Sequence, residues 1–503
     1  MRVHSVRFAG LLAGIAAALA APAGAETPRS AAEVLGPRVD TSGTLEVARP
    51  RPRPRVDALH FWNGVAVNAS GLDHTPVAPG EARTFGEQLG PGRSSRAIAI
   101  VQIAIFEALN SIIGSYQGIL GLPRAPLGAS PDAAIAQAAH DTLVAMFPSQ
   151  ASAFDAALAS ELARVRFAFA RQRGVEVGSR AAAAILARRA NDGAAHAEPL
   201  MRGDYVPADS AGEWRQDPIS LVPIALGAHW GEVDPFVIPA AAEFRTPPPP
   251  ALGSPEYATA FNEVQSLGGD GDTTPTLRTA EQTQIGVFWT YDGTPSLCAP
   301  PRLYNQIATQ IARQRGTSML ETARLLALVN VAMADAGISI WESKYFYHYW
   351  RPVTGIREAD AGTGPSGSGD DNPATQGDPA FSPLGAPASN LTGPNFTPPF
   401  PAYPSGHAGF GGALFQTLRL FYGTDAIPFT FVSDEFNGVT RDNSGATRSL
   451  LPRSFRTLSQ AEEENGQSRI YLGIHWSFDK TEGITQGRRV ASYVFQNLYR
   501  RRR

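Results

Sequence analysis

The chain has 503 residues, including 49 glycines and 41 prolines, and only 18% are charged against a usual ~25%. That composition excludes a coiled coil or a disordered tail and fits a loop-rich globular protein large enough for more than one domain-sized unit. A formal charge of −3, more negative still once residues 1–25 with Arg2 and Arg7 are removed, lacks the clustered excess of Lys and Arg that nucleic-acid binding requires.

Residues 1–25 place Arg2 and Arg7 before an apolar stretch from Phe8 to Ala21, and Ala23-Gly24-Ala25 follows. This is the order of a secretory signal peptide cut after Ala25. The stretch is short for a bilayer span, and no later window runs about eighteen apolar residues without a charge. A secreted or periplasmic protein without a membrane span is expected. Cys298 is the only cysteine, so there is no internal disulfide, and it is expected to pack as a small residue.

Residues 26–95 read as an extended leader, with Arg-Pro alternation from Arg49 to Arg55 disfavouring helix. From Arg96 the pattern becomes helical, with Ala- and Leu-rich runs over 96–114, 131–148, 152–172 and 177–189 separated by Gly or Pro stops. The Thr246–Pro255 segment and the GGDGD run at Gly268–Asp272 mark a boundary near 270, giving an N-terminal helical region 96–270 and a C-terminal helical region 271–503. The latter opens with helices over Thr279–Trp289 and Pro301–Arg315, then a long one from Ser318, where Ser318 and Glu321 form a capping-box signature. Residues 360–401 can only be irregular loop. Alternating patterns are scarce, so the predicted class is all-α: two bundle-like halves with long loops.

Three motifs carry chemistry. In the first, Lys344 and Arg351 are seven residues apart, two helical turns less about 20°, so on one helix both leave the same face, with Pro352 ending that helix. In the second, Pro404-Ser405-Gly406-His407 opens a helical run, where backbone N–H groups and the serine hydroxyl favour an anion and His407 is available as acid or base. In the third, Gly473 breaks the helix carrying Arg469 and swings His475 inward, and a new helix near Ser477 lets Asp479 hold one ring nitrogen of His475. His348 lies on a different face from the two cations and is expected to pack among aromatics. Together the motifs supply three cations, a hydroxyl, backbone donors and two histidines for one tetrahedral or trigonal-bipyramidal oxyanion.

At these positions, Lys344, Arg351, Pro352, Pro404 to His407, Ser468, Arg469, His475 and Asp479, the chain resembles the superfamily that joins type 2 phosphatidic acid phosphatases, bacterial acid phosphatases and vanadium-dependent haloperoxidases. From about Gln284 onward it looks like a vanadium chloroperoxidase beyond the motifs, in FWTYDG (Phe288–Gly293), PPRLYNQIA (Pro300–Ala308), GDPAFSPLGAPASN (Gly377–Asn390) and NGVTRD (Asn437–Asp442). The first half resembles it far less.

The resemblance implies bound vanadate as cofactor, with phosphate competing for the same site. His475 would coordinate the metal, and Lys344, Arg351, Arg469, Ser405 and the Gly406 N–H would neutralise its oxygens. His407, Lys344 and Asp292 would be catalytic, with Asp292 paired to Arg469. Trp341 and Phe400 match aromatics lining the halide side. Hydrogen peroxide, a halide and an organic acceptor would be the partners, with chloride or bromide oxidised to hypohalous acid. Two alternatives share these residues: an exported acid phosphatase in which His475 attacks phosphorus, and an oxyanion-binding protein without turnover.

Overall fold

The computed structural model describes residues 56–502. The expected signal peptide and the leader up to residue 55 lie outside the described residues. The rest of the expected leader is not extended throughout: Ala58–Asp73 is a helix, α1, whose first turn is capped by the Asp57 carboxylate accepting from the His60 amide. Its Leu59 and Trp62 are fully buried, so tertiary packing decides its state.

The N-terminal bundle continues with α2 (Gly90–Ile113), α3 (Pro131–Met146), α4 (Ala151–Ala163) and α5 (Ala168–Arg188). The run expected as one helix over 152–172 breaks after Ala163 and its end joins α5. Gly174 and Gly178 do not stop α5. A Cβ on either would sit 2.6 or 2.5 Å from a carbonyl oxygen at Ser130 or Ala134, so they let α5 lie against α3. Residues 189–254, expected within a helical region, are irregular apart from two short 3-10 turns.

Downstream lie α6 (Pro255–Leu267), α7 (Ala280–Phe288), α8 (Pro300–Gln314), α9 (Met319–Tyr347), α10 (Pro352–Arg357), α11 (Gly406–Tyr422), α12 (Leu458–Tyr471) and α13 (Ser477–Asn497). Ser318 caps α9 by accepting from the Glu321 amide, but the box is half made: the Glu321 carboxylate takes Tyr116 and Arg501 instead. Helices α9, α11, α12 and α13 pack together as the second bundle, and α2 lies against α9 between the halves. Helices α2 and α9, which carry Glu107 and Asp335, are long and apolar enough to cross a membrane; here both are mostly buried inside the molecule.

The class is all-α with one addition. Strands β1 (Phe429–Asn437) and β2 (Leu450–Phe455) form an antiparallel hairpin. Along β1 the buried positions are Phe429, Phe431, Ser433 and Glu435, and the two polar ones hide the alternation from an apolar count.

The largest hydrophobic cluster runs from Ala58 to Tyr499, so it crosses the boundary expected near 270. A second, smaller cluster explains how the motifs are held: Trp350 precedes Arg351, Ile470 follows Arg469, Trp476 follows His475 and Tyr403 lies two before Ser405. Tyr257, Phe261 and Val264 of α6 complete it. Arg351, Ser405, Arg469 and His475 are thus each anchored by a neighbour in one aromatic-rich core, and burial of such a side chain contributes roughly 1.5–3 kcal/mol.

Candidate active site

The first motif converges by a different route from the expected one. Helix α9 ends at Tyr347, His348 adopts a left-handed backbone (φ 49°), and Arg351 is the N-cap residue of α10, so Pro352 begins a helix instead of ending one. Proline suits that first position, because its missing N–H has no partner there to lose. Lys344 donates to the Pro401 and Ala402 carbonyls at 2.7 and 2.9 Å, while Arg351 donates to Phe400 and Ile474 carbonyls at 2.9 and 2.8 Å. His348 packs against Tyr205 and Tyr345, away from the cations, as expected.

Ser405 is the N-cap of α11 and Gly406 its first residue, with Trp341 packed against the glycine where a Cβ would stand at 3.2 Å. At the third motif Gly473 has φ 72°, and a Cβ there would lie 2.5 Å from the Gly268 carbonyl, so the turn that ends α12 requires glycine. His475 follows, and α13 begins at Ser477 as the spacing predicts. The Asp479 carboxylate accepts from His475 Nδ1 at 2.8 Å and from the Trp476 amide at 3.0 Å. That leaves His475 Nε2 as acceptor, and Arg351 donates to it at 2.9 Å.

Lys344, Arg351 and Arg469 all act electrostatically on the His475 ring. Burial, and then these cations, hold the ring well below its ordinary pKa, so it is neutral. Burial together with Arg351 drives Lys344 well down, and burial lowers Arg351 to about 9. Burial raises Asp479 to about 7 in spite of the Trp476 amide and two cations. Three mutually repelling cations are costly unless an anion sits among them. Arg351 Nη2 and Arg469 Nε and Nη1 are buried without a protein partner. Buried donors left over in this way fit an oxyanion with several equatorial oxygens.

On the opposite side Arg469 Nη2 donates to Asp292 at 2.6 Å, the expected pairing, and Asp292 lies 3.6 Å from His407 Nε2. That nitrogen also hydrogen-bonds the Thr290 carbonyl, which makes it the protonated one in the neutral ring. Burial and Arg469 lower His407 to about 4. Tyr304 and Asn465 hold the His407 carbonyl at 2.9 and 3.0 Å. Trp341 and Phe400 pack at a ring separation of 4.9 Å, and Lys344 Nζ lies 5.1 Å from the Phe400 centroid. The structure therefore brings every predicted site residue into one place.

Sequence reasoning gave no role to six supporting residues. Thr290 lies in the FWTYDG stretch, but it acts through its backbone carbonyl, which side-chain chemistry does not reveal. Tyr304 and Asn465 looked like helix positions. Glu435 sits on the unread strand. Leu226 and Gly227, from the irregular N-terminal segment, close over Trp341, whose indole donates to the Leu226 carbonyl at 3.1 Å. A surface cavity of about 1060 Å³ between α8 and the hairpin, lined by Gln310, Gln314 and Thr430, lies apart from these residues and gathers no cation cluster.

The fold and this arrangement define a helical-bundle protein built around a buried cluster of basic side chains with unpartnered donors. Residues 324–502 match the family model of the VCPO second helical-bundle domain. Vanadium chloroperoxidase of Curvularia inaequalis is 38% identical over 269 residues, which are 46% of this chain and 42% of that protein, so the chain matches less than half the length of this relative. The fold is similar to crystal structures of a bacterial vanadium-dependent iodoperoxidase (TM-score 0.68, 23% identity, 89% of this chain and 98% of that one) and a bacterial holo-type vanadium-dependent chloroperoxidase (TM-score 0.58, 16% identity, 84% and 95%). Residues 324–502 thus carry the second helical-bundle domain of this family, and the fold of the chain is similar to that of vanadium haloperoxidases.

Proposed function

We propose that the chain is a vanadate-dependent haloperoxidase that converts hydrogen peroxide, a halide ion and a proton into hypohalous acid and water. The observation that carries this is the set of buried, unpartnered donors on Arg351 and Arg469 facing a neutral His475 whose other nitrogen is tied to Asp479. Residues 324–502, which match the family domain, contain all of that set. Bound vanadate would supply a Lewis-acid centre that activates peroxide without changing oxidation state.

The chain's own residues do the rest. His475 offers its Nε2 lone pair, and Asp479 keeps the proton on Nδ1. Lys344, Arg351 and Arg469 offset the oxyanion charge, with the Ser405 hydroxyl and the Gly406 N–H as further donors. His407, held neutral beside Asp292, takes up a proton from entering peroxide. Trp341 and Phe400 keep water from the Lys344 side, where the halide approaches.

Metal-free protein is expected to gain halide-dependent peroxide consumption on addition of vanadate, and phosphate is expected to suppress it competitively. Vanadate-dependent activity untouched by saturating phosphate would contradict a single cradle. Phosphate-ester hydrolysis by the vanadate-free protein, with no peroxidase activity after reconstitution, would establish the phosphatase reading in its place.

The same reading includes export to the periplasm or medium, which rests on the Arg2, Arg7 and Phe8–Ala21 pattern. Cell fractionation and N-terminal sequencing of the mature protein test it, with Glu26 expected as the first residue.

A further inference from the structure

Strand β1 lies directly behind the turn that presents Asp292. Three consecutive residues reach it: Ser433 Oγ donates to the Phe288 carbonyl at 2.6 Å, the Asp434 amide donates to the Tyr291 hydroxyl at 2.6 Å, and Glu435 Oε1 accepts from the Tyr291 amide at 3.1 Å. Tyr291 has φ 46°, a left-handed conformation that a bulky residue adopts only where its surroundings impose it. Thr290 and Asp292 flank it, one bonding His407 through its carbonyl and the other bonding Arg469 through its carboxylate. The orientation of both site contacts therefore depends on how this single residue is held.

We propose that Glu435 is a positioning residue of the oxyanion site: by accepting from the Tyr291 amide it fixes the Thr290–Asp292 turn and so keeps Asp292 on Arg469 and the Thr290 carbonyl on His407. Glu435 is fully buried, and its second oxygen accepts from Ser389 Oγ at 2.6 Å and from Arg448 Nη1 at 2.7 Å. Those two bonds tie the carboxylate to the long irregular segment and to the β1–β2 connection, so the acceptor facing Tyr291 is itself braced. Electrostatics argue that its place is set by the turn. The carboxylate lies near enough to Asp292 for the two charges to repel, and burial with that repulsion raises it to about 7 against the pull of Arg448. A carboxylate needed only to neutralise Arg448 has no reason to stand beside a second acid, whereas an acceptor for the Tyr291 amide has no other place to be.

The inference rests on the oxyanion reading of the cradle, and its test uses binding alone. Inorganic phosphate and vanadate are titrated calorimetrically into the metal-free full chain, and thermal midpoints are measured in parallel. Glu435→Ala is expected to weaken both anions roughly 10-fold or more, the low end for loss of an outer partner of a binding group. Glu435→Gln keeps an acceptor for the Tyr291 amide and is expected to stay within about 3-fold of the parent, although both variants lose the Arg448 ion pair and melt earlier. Parent-like affinity in the alanine variant, or equal loss in both, would overturn the proposal, since a merely structural role moves the midpoint alone. If Glu435→Ala does not fold, Glu435→Asp makes the same comparison, because it keeps the charge and withdraws the acceptor. A parent that binds neither anion would overturn the cradle reading itself, a result distinct from a variant that matches a binding parent.

Discussion

His475 has one ring nitrogen held by Asp479 and the other turned toward Arg351, whereas His407 rests on the Thr290 carbonyl beside Asp292. His475→Ala is therefore expected to abolish retention of vanadate, measured by metal analysis of folded, gel-filtered protein. His407→Ala should keep most of the metal and lose roughly 10²–10⁴ in halide turnover, the usual range for a positioned acid–base group. Equal loss of metal in both would contradict this division. The burial that keeps His407 neutral also leaves a mark on stability. Its folded pKa of about 4 lies below the 6.5 of an ordinary histidine, so between those values the unfolded chain binds more protons. The contribution is complete above about pH 6.5 and is lost as pH falls toward 4, to an extent on the order of 3 kcal/mol. His407→Gln is expected to flatten that part of the profile when thermal unfolding is followed from pH 7 to pH 4 in anion-free buffer; parallel profiles would mean that the ring titrates alike in the folded and unfolded chain. Phe400 stands 5.1 Å from Lys344 Nζ and 5.0 Å from the Arg351 guanidinium carbon. Phe400→His brings a polar, titratable ring to the same place and is expected to lower chloride turnover more than bromide turnover, whereas an unchanged ratio of the two steady-state rates would leave Phe400 a packing residue.

Helices α11 and α13 bring Ser405 and Asp479 together, and their contact is nearly backbone to backbone. A Cβ at Gly487 would stand 2.0 Å from the Gly409 carbonyl, and one at Gly483 would stand 2.5 Å from that of Ser405. Backbone on that side cannot yield as a flexible side chain does. Gly487→Ala should therefore push α13 off α11, cost about 1–3 kcal/mol in denaturant unfolding and weaken phosphate binding with it. A variant that loses stability but binds phosphate like the parent would show that the cradle tolerates the shift. This geometry explains what was legible beforehand. The break at Gly473 and the His475–Asp479 pairing follow from local rules of helix termination and spacing, which one sequence displays. The elements that escaped depend on tertiary packing. Ser433 and Glu435 put polar groups on the inner face of β1, α1 is held by the core that buries Trp62, and α5 runs through Gly174 and Gly178 because α3 lies against them. Pro352 is ambiguous for a related reason. Proline fits both the end of one helix and the start of the next, and only the left-handed His348 turn decides between them.

The cradle residues all come from beyond residue 271, yet much of what holds them does not. Helix α2 buries most of its length and lies along α9, which carries Trp341 and Lys344. Tyr257 and Phe261 of α6 sit in the aromatic cluster with Trp350 and Trp476, next to Arg351 and His475. From the irregular segment, the Leu226 amide donates to the Pro399 carbonyl at 2.9 Å, and the Trp350 amide donates to the Gly212 carbonyl at 2.8 Å. Removing the N-terminal half would thus expose the apolar face of α9, open the wall over Trp341 and leave buried cations in contact with water, where their attraction for an oxyanion is far weaker. A fragment of residues 271–503 keeps every charged group of the site and is nonetheless expected to show no cooperative thermal transition and no measurable phosphate binding. Co-expression with residues 1–270 is expected to restore both, because the interface between the halves is part of one continuous hydrophobic cluster. A fragment that melts cooperatively and binds phosphate with the affinity of the full chain would show that the second bundle is an autonomous unit and that the first contributes only its outer wall.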